Sequence, residues 1–424
     1  DQALASTLKS LELKPDNPTA HNNLGGIYKE LSNLDQALAS TLKSLELKPD
    51  NPDALSNLSL IQATMGDIEK SAESLQRALS IEPHNPEVLF QSSLTLKDTH
   101  DAYSLLKIAI EAGQEALPPK ARSLVEFAKS NCFHKIKDYK NATKLLIKAN
   151  KSKLSCMPSE AAVLIKAIQI NSKTSTKHTA PTSKQTCDQV FIVGVPRSGS
   201  TLLSAILNTN PLTKDIGEST ALPKALSIYL NQEMSAKKQN LRIIYRDCIS
   251  EEIPEGSIIL DKQLYNFMHC QYISNHMLGA KAIHATRNPL DNILSMLRAN
   301  LRVHNNYTSS AEDSAKVIIE QELSMRSFKK SFPSKIYSYS YDRLVMDPKP
   351  EIQKILAWLG WDWSDSYLSF YKNKQIINTT SVLQARQPIS NKSVGGWRNY
   401  SSALEQARQI LLESNLFSTE DLKI

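Results

Sequence analysis

The sequence lacks several features that would assign it to common classes of protein. No apolar run approaches 18 residues, so we predict no transmembrane helix. The net charge of +7 comes without a dense Lys/Arg run, which is not typical of nucleic-acid binding. The cysteines are odd in number, far apart and without a C-x-x-C pair, which argues against zinc and against a disulfide framework. They are Cys132, Cys156, Cys187, Cys248 and Cys270.

Cysteines of this kind predict a reducing, cytoplasmic compartment. The chain opens at Asp1 and not at Met, which leaves room upstream for a signal peptide, an anchor or further repeats. If such a segment carries a signal, the alternative location is lumenal. The length of 424 residues predicts two or three domains.

An internal repeat occupies the first part of the chain. Residues 1–18 recur letter for letter at 35–52, a period of 34 that is typical of tetratricopeptide repeats. Each repeat is a helical hairpin that buries its apolar face only by stacking on its neighbours. We therefore predict an α-solenoid whose concave surface binds a peptide or protein partner; the alternative is a spacer or dimerisation stalk. The predicted array covers 1–170: a truncated first unit, repeats 17–50 and 51–84, a degenerate region 85–150 and a closing helix 160–170.

A different pattern follows a polar stretch at 171–188, which we interpret as an exposed linker or as a loop pinned across two domains. From residue 189 to 424, short β runs alternate with helical runs, which predicts a three-layer α/β domain with a parallel sheet. Ligands of such sheets bind at the carboxyl ends of the strands. The predicted strands are 191–193, 257–260, 281–285 and 336–339.

Residues 191–207, FIVGVPRSGSTLLSAIL, are the stretch around which this domain is organised. A strand, a tight loop and a helix in this order place backbone N–H groups around a phosphate. Gly194 and Gly199 have the spacing of a P-loop, but Ser200 stands where a nucleoside triphosphatase has lysine, and the cation is Arg197. The loop is therefore P-loop-like and suits a donor with one 5′ phosphate and a transferable group. The alternative is a glycine-rich turn with no ligand.

The run PRSGST resembles the 5′-phosphosulfate loop of sulfotransferases, and in particular of tyrosylprotein sulfotransferases and of bacterial sulfotransferases fused to tetratricopeptide repeats. The resemblance implies 3′-phosphoadenosine 5′-phosphosulfate (PAPS) as co-substrate, 3′-phosphoadenosine 5′-phosphate (PAP) as product, and no metal. It assigns the 5′ end of the donor to Pro196, Arg197, Ser198, Gly199, Ser200 and Thr201.

The same resemblance supplies candidate catalytic residues. Glu218, which lies 17 positions beyond Thr201, matches the base that takes the proton of the acceptor hydroxyl; alternatively it complements a helix dipole. Lys262 matches the lysine of an Asn-Lys-Asp-Pro segment, although Gln263 replaces the aspartate; alternatively it is a surface lysine. Arg197 and Lys262 would stabilise charge on the sulfuryl group and the leaving phosphate.

Three further motifs resemble nucleotide contacts of the family. Arg287 and Ser295, eight positions apart, match a 3′-phosphate motif, although Arg287 alternatively serves a structural ion pair. Tyr341 matches a tyrosine near the nucleotide, or simply packs. Ser381 and Trp397 match a flap over the nucleotide, in which Gly395-Gly396 replace the Ser-Lys of the animal enzymes and allow the flap to move as a lid.

These residues together predict transfer of a sulfuryl group from PAPS to an acceptor hydroxyl on a peptide tyrosine, a glycan or a metabolite. A protein partner on the repeat array is expected, and nucleic acid is not. One alternative is a nucleotide-dependent phosphoryl transferase, which would need lysine after Gly199. Another is a repeat scaffold with an inactive transferase domain, against which the presence of Arg197 and Glu218 argues.

Overall fold

The computed structural model describes residues 2–31, 33–112, 117–173, 187–232, 239–250, 252–301, 305–372 and 387–423. These residues form two compact units. The first unit comprises the chain up to Pro158 together with Leu297–Ser309, and the other described residues belong to the second. None of the helices within these ranges is both long enough and apolar enough to span a membrane.

The first unit consists of helical hairpins, as the 34-residue period predicts. Helices α2 and α3, α4 and α5, and α8 and α9 pack as consecutive pairs. The bounds are α1 Gln2–Leu13, α2 Pro18–Glu30, α3 Leu34–Leu47, α4 Pro52–Met65, α5 Ile68–Ile81, α6 Pro86–Leu94, α7 Thr99–Glu111, α8 Pro119–Lys135 and α9 Tyr139–Cys156.

An Asn-Pro pair starts the first helix of each repeat. Asn17, Asn51 and Asn85 are N-caps 34 residues apart, and each side chain accepts a hydrogen bond from one or two backbone N–H groups of the following turn. The proline that follows occupies the first helical position, where its missing N–H group costs nothing. The period is therefore fixed by a repeated helix start as well as by the apolar pattern.

The second unit is built on a parallel sheet with the strand order β2-β3-β1-β4-β5. Strand β1 lies at the centre, and its residue Val190 is opposite Leu260 of β3 and Lys281 of β4. All six residues of β1 are buried, as expected for a strand covered on both faces. The bounds of the strands are β1 Gln189–Gly194, β2 Thr213–Asp215, β3 Ile258–Asp261, β4 Ala280–Thr286 and β5 Ile336–Ser340.

Helices cover both faces of this sheet, which gives the predicted three layers. On one face, Val190 and Ile192 belong to a buried cluster with side chains of α11, α17 and α18. On the other face, the ring of Phe191 lies 5.5 Å from that of Tyr245 in α13. The helices are α10 Ala161–Lys173, α11 Ser200–Leu207, α12 Ala221–Asn231, α13 Leu241–Asp247, α14 Cys270–His276, α15 Pro289–Ala299, α16 Ala311–Ser331, α17 Tyr341–Met346, α18 Pro348–Leu359 and α19 Ser401–Glu413.

Helix α10 is placed differently from the closing helix that the sequence predicts at 160–170. It belongs to the second unit and packs against α16, where Gln169 Nε2 donates to Glu320 Oε1 at 3.0 Å. An amphipathic pattern shows that a helix has a face to bury but not which neighbour covers that face. Most of the predicted linker at 171–188 lies outside the described residues, which resume at Cys187.

Candidate active site

The five strands bring the predicted site residues to one edge of the sheet. Because all strand pairs are parallel, their carboxyl ends lie on the same side. The loop of residues 195–199 follows the central strand β1, Lys262 follows β3, and Arg287 follows β4. Glu218 comes shortly after β2, and Tyr341 directly after β5. The order along this edge is thus Glu218, Lys262, the loop, Arg287 and Tyr341.

The glycines at the two ends of the loop, Gly194 and Gly199, are required by close neighbours. Gly194 has φ +152°, and a Cβ atom there would lie 2.8 Å from the carbonyl oxygen of Ala285. Gly199 has φ +93°, and a Cβ atom there would lie 2.4 Å from Cδ2 of Tyr341. Any other residue at either position would clash or adopt a strained backbone. Packing of Tyr341 on the loop is thus a second reason for Gly199 besides access for an anion.

The loop offers an anion several donors. Helix α11 starts at Ser200, so the first N–H groups of the helix lie at the end of the loop. The Ser198 side chain is fully buried, and its Oγ atom has no hydrogen-bond partner among the described residues. The carbonyl oxygen of Pro196 accepts from Asn292 Nδ2 at 2.8 Å, which fixes the loop against α15. Thr201 is half-buried in the first turn of α11.

The two arginines of the site are connected through the loop. Arg197, whose φ of +69° is unusual for a residue other than glycine, donates from Nε to Ser295 Oγ at 3.1 Å. Arg287 donates from Nη1 to the carbonyl oxygen of Arg197 at 3.3 Å, and its guanidinium lies 4.7 Å from the centre of the Tyr341 ring. Arg197, Ser295, Arg287 and Tyr341 therefore form one cluster, although the resemblance assigned Arg197 and Ser295 to opposite ends of the donor.

A segment near the C-terminus, Ser393 to Trp397, closes over this cluster, and we call it the closing segment. Arg287 Nη2 donates to the carbonyl oxygen of Ser393 at 3.2 Å, and the Tyr341 hydroxyl lies 2.9 Å from Ser393 Oγ. The backbone N–H groups of Gly395 and Trp397 donate to Asp291 at 2.6 and 2.8 Å. Trp397 is thus brought to the site, whereas Ser381 lies outside the described residues.

Glu218 and Lys262 form an ion pair at the other end of the edge. Lys262 Nζ donates to Glu218 Oε1 at 2.7 Å, and the Lys262 side chain is 4% exposed while that of Glu218 is 53% exposed. The backbone of Lys262 donates to the carbonyl oxygen of Gly217 at 2.8 Å, which extends the pairing of β2 with β3. Lys262 is therefore not a surface lysine. Helix α12 begins at Ala221 with Thr220 as its N-cap, so Glu218 lies before the helix and outside its first turn.

Two buried carboxyl groups support the strand ends. Burial raises the pKa of Asp261 to about 7, although its carboxyl accepts hydrogen bonds from the Tyr245 hydroxyl at 2.9 Å and from the backbone of Gln263 at 2.9 Å. Burial likewise raises the pKa of Asp342, whose Oδ2 atom accepts from the backbone N–H of Asn288 at 2.5 Å. Each carboxyl therefore holds the backbone beside one of the predicted cations, Lys262 or Arg287.

Sequence reasoning missed Asp291, Asn292 and Ser393, which hold the loop and the closing segment. Asp291 and Asn292 lie in the first turn of the helix that follows Arg287, and that position is the one signal that could have drawn attention to them. Within the described ranges, no group of His, Cys, Asp and Glu side chains is arranged to hold a metal ion.

Comparison with known proteins gives two family matches. Residues 189–365 match the family described as "Sulfotransferase family", and residues 18–51 and 52–85 match "Tetratricopeptide repeat". An uncharacterized protein of Aquifex aeolicus is 27% identical over 322 residues, which cover 70% of this chain and 42% of that protein. The chain thus spans less than half of that relative.

Two further proteins are similar. A Caenorhabditis briggsae protein named "Putative protein-tyrosine sulfotransferase" is 26% identical over 227 residues, which cover 49% of this chain and 80% of that protein. Among solved structures, the sulfotransferase domain of the Synechococcus PCC 7002 olefin synthase aligns with a TM-score of 0.40 and 17% identity, covering 57% of this chain and 99% of the domain.

Proposed function

Because this chain joins tetratricopeptide repeats to a domain of the sulfotransferase family, we propose that it moves a sulfuryl group from PAPS to an acceptor hydroxyl. The observation that carries the proposal is the row of side chains along the carboxyl edge of the sheet. A carboxylate with a buried lysine lies at one end, the loop that leads into the N-terminus of α11 at the centre, and an arginine cluster at the other end.

The donor would lie along this row with its two phosphates in different places. The N–H groups at the start of α11, with Ser198, Ser200 and Thr201, suit the 5′ phosphate. Arg287 and Ser295 suit the 3′ phosphate, because a guanidinium holds two phosphate oxygens at once. Tyr341, which lies against Arg287, and Trp397 in the closing segment would contact the nucleotide.

The reaction would proceed by in-line displacement at sulfur. Glu218 takes the proton of the acceptor hydroxyl while the acceptor oxygen bonds to sulfur and the bond from sulfur to the 5′-phosphate oxygen breaks. Charge then builds on the leaving phosphate, where Lys262 and Arg197 stabilise it. Because Lys262 Nζ lies 2.7 Å from Glu218 Oε1, the base and one of the cations can reach the same reacting group. Two side-chain cations replace the metal ion that a phosphoryl transferase requires.

The acceptor that we favour is a peptide tyrosine recruited by the repeat array. Stacked helical hairpins offer an extended surface to a peptide, and one relative carries a protein-tyrosine sulfotransferase name. A glycan or metabolite hydroxyl would leave the array to bind a protein partner instead. A phosphoryl transferase is disfavoured because Ser200 occupies the position of the lysine that contacts nucleotide phosphates.

The donor is tested by comparing PAP with ATP and Mg²⁺ as ligands. We expect PAP to raise the melting temperature and ATP with Mg²⁺ to leave it unchanged. Labelled PAPS, incubated with pools of tyrosine peptides, glycans and metabolites, then identifies the acceptor. Failure of the wild-type protein to bind PAP would overturn the proposal at its first step.

The base is tested by Glu218→Gln, which keeps an oxygen beside Lys262 but cannot take a proton. We expect turnover to fall about 10²- to 10⁴-fold, the usual contribution of a general base, with little change in the Kd for PAP. Glu255→Gln is the matched control, because Glu255 is exposed and precedes β3 at the opposite end of the strand. Near-normal turnover of Glu218→Gln would show that another group accepts the proton.

A further inference from the structure

The closing segment is held by the first turn of α15 and by Arg287, which precedes that helix. Asp291 accepts the backbone N–H of Gly395 on Oδ2 and that of Trp397 on Oδ1. Arg287, one turn earlier in the chain, holds the carbonyl oxygen of Ser393. The segment is therefore tied to the β4–α15 junction at three backbone positions.

A charged aspartate is energetically unfavourable at position 291. Its carboxylate feels the charge of Arg287, which belongs to the region that we assign to the 3′ phosphate, so an ionised Asp291 would repel the proposed ligand. Burial opposes its ionisation and raises its pKa, while the N–H groups of Trp397 and Gly395 and the charges of Arg287 and Arg398 act in the opposite direction. The carboxylate therefore contributes to the site through the two backbone N–H groups that it accepts, and not through attraction of the ligand.

The shape of the closing segment fits these two hydrogen bonds. Gly395 has φ +72°, a left-handed conformation that directs its N–H and that of Trp397 towards the same carboxylate. A Cβ atom on Gly396 would lie 3.8 Å from Asp291 Oδ1, so the segment passes directly over this side chain. Aspartate has two carboxylate oxygens, so each can accept one of these N–H groups, whereas asparagine has only one acceptor oxygen.

We propose that Asp291 is a positioning residue that folds the closing segment onto Arg287 and thereby completes the 3′-phosphate site. The proposal rests on the proposed function, because it presupposes a donor with a 3′ phosphate. Asp291 itself does not touch the donor. It acts through Ser393, whose carbonyl oxygen holds one arm of the Arg287 guanidinium while the carbonyl oxygen of Arg197 holds the other.

The test compares two ligands that differ only in the 3′ phosphate, PAP and adenosine 5′-phosphate, by calorimetry. In Asp291→Asn we expect the Kd for PAP to rise about 10- to 100-fold, as is usual for loss of a charge-assisted hydrogen bond. The Kd for adenosine 5′-phosphate should stay the same, because its 5′ contacts lie in the loop. General destabilisation would weaken both ligands alike.

Asp313→Asn is the matched control. Asp313 lies in the first turn of α16, so its loss changes the charge at a helix N-terminus in the same unit. We expect this variant to discriminate between the two ligands as the wild type does. A similar loss of discrimination in Asp313→Asn would show that helix charge, and not the closing segment, is responsible.

Gly395→Ala provides an independent way to disturb the closing segment, because alanine is strained at φ +72°. If Asp291 acts through this segment, a double variant that combines Asp291→Asn with Gly395→Ala should bind PAP no more weakly than whichever single variant has the higher Kd for PAP. Additive losses, or an Asp291→Asn variant that discriminates like the wild type, would overturn the inference. A wild type that does not prefer PAP over adenosine 5′-phosphate would instead overturn the proposed donor.

Discussion

At the scale of single residues, burial changes the pKa of a carboxyl group in the site, an effect that the spacing of residues in the sequence does not reveal. Asp261 ends a buried strand, and its carboxyl receives hydrogen bonds from the Tyr245 hydroxyl and the backbone of Gln263. These contacts favour the charged form, but burial outweighs them and raises the pKa of Asp261 to about 7. The group is therefore largely protonated at pH 5 and largely ionised at pH 8, next to the proposed catalytic lysine.

This shift predicts the pH dependence of stability. Between its ordinary pKa near 4 and its folded pKa near 7, Asp261 binds a proton in the folded state only. The folded state binds more protons, so the free energy of unfolding falls as pH rises through this range. Asp261→Asn removes this dependence. We therefore expect the stability of the variant, measured relative to that of the wild type, to be higher at pH 8 than at pH 5. Urea unfolding at both pH values measures the difference.

The exposed Asp247 supplies the control for this experiment. Asp247→Asn should change stability by the same small amount at pH 5 and at pH 8. If Asp261→Asn follows the wild type at both pH values, the Asp261 carboxyl does not change its protonation state in this range, and the stabilising hydrogen bonds outweigh burial after all.

The sequence identified most residues at this edge but not what they contact. Lys262 was predicted beside the reacting group, and the structure adds that it is buried and paired with Glu218. Gly199 was predicted from the needs of an anion, whereas its neighbour in the fold is the Tyr341 ring. Asp291 was missed, since a carboxylate at a helix N-terminus is common and its partners in the closing segment follow about a hundred residues later.

At the scale of elements, the close approach of two helices sets the geometry of the first complete repeat. Gly25 of α2 faces the buried Thr41 of α3, and a Cβ atom on Gly25 would lie 2.1 Å from Thr41 Oγ1. The next residue, Gly26, has no atom within 4 Å of such a Cβ position. Two adjacent glycines of one helix thus have different surroundings, because Gly25 faces α3 and Gly26 faces open space.

These glycines predict opposite effects of the same substitution. Gly25→Ala should lower the free energy of unfolding by about 1–3 kcal/mol, because the added methyl group forces α2 and α3 apart. Gly26→Ala should raise it by about 0.5–1 kcal/mol, because alanine is the better helix former. Chemical denaturation followed by circular dichroism measures both. Adding Thr41→Ala to Gly25→Ala should recover part of the loss; equal effects at the two glycines would exclude contact between the helices as the cause.

Elements with a strong pattern were predicted well, and weak or ambiguous ones were not. The four longer strands of the sheet and the helix after the loop follow from buried β runs and helical spacing. Strand β2 has only three residues, too few for a periodic pattern, and was not predicted. Helix α10 was predicted as a helix but assigned to the array, because its apolar face alone does not identify its partner in α16.

At the scale of the whole molecule, the chain combines two ways of distributing stability. In a repeat array each hairpin contacts its neighbours, so stability is close to a sum of local contributions. In the second unit, strand β1 pairs with both β3 and β4, and the loop that follows it contacts α15 and Tyr341. A ligand bound at the carboxyl edge of this sheet should therefore stabilise elements that lie far apart in sequence.

Hydrogen exchange with and without PAP tests this expectation. At a PAP concentration 100 times its Kd, amides that exchange only when the second unit opens should gain about 2.7 kcal/mol of protection, the value expected from mass action. These include the amides of β1 and of β3 and β4, each of which pairs with β1. Amides of α4 and α5, which stack within the array, should exchange as they do without ligand because their opening is local. Protection confined to residues 195–201 would show that the loop opens independently of the sheet; equal protection of α4 would show that the array and the sheet unfold together.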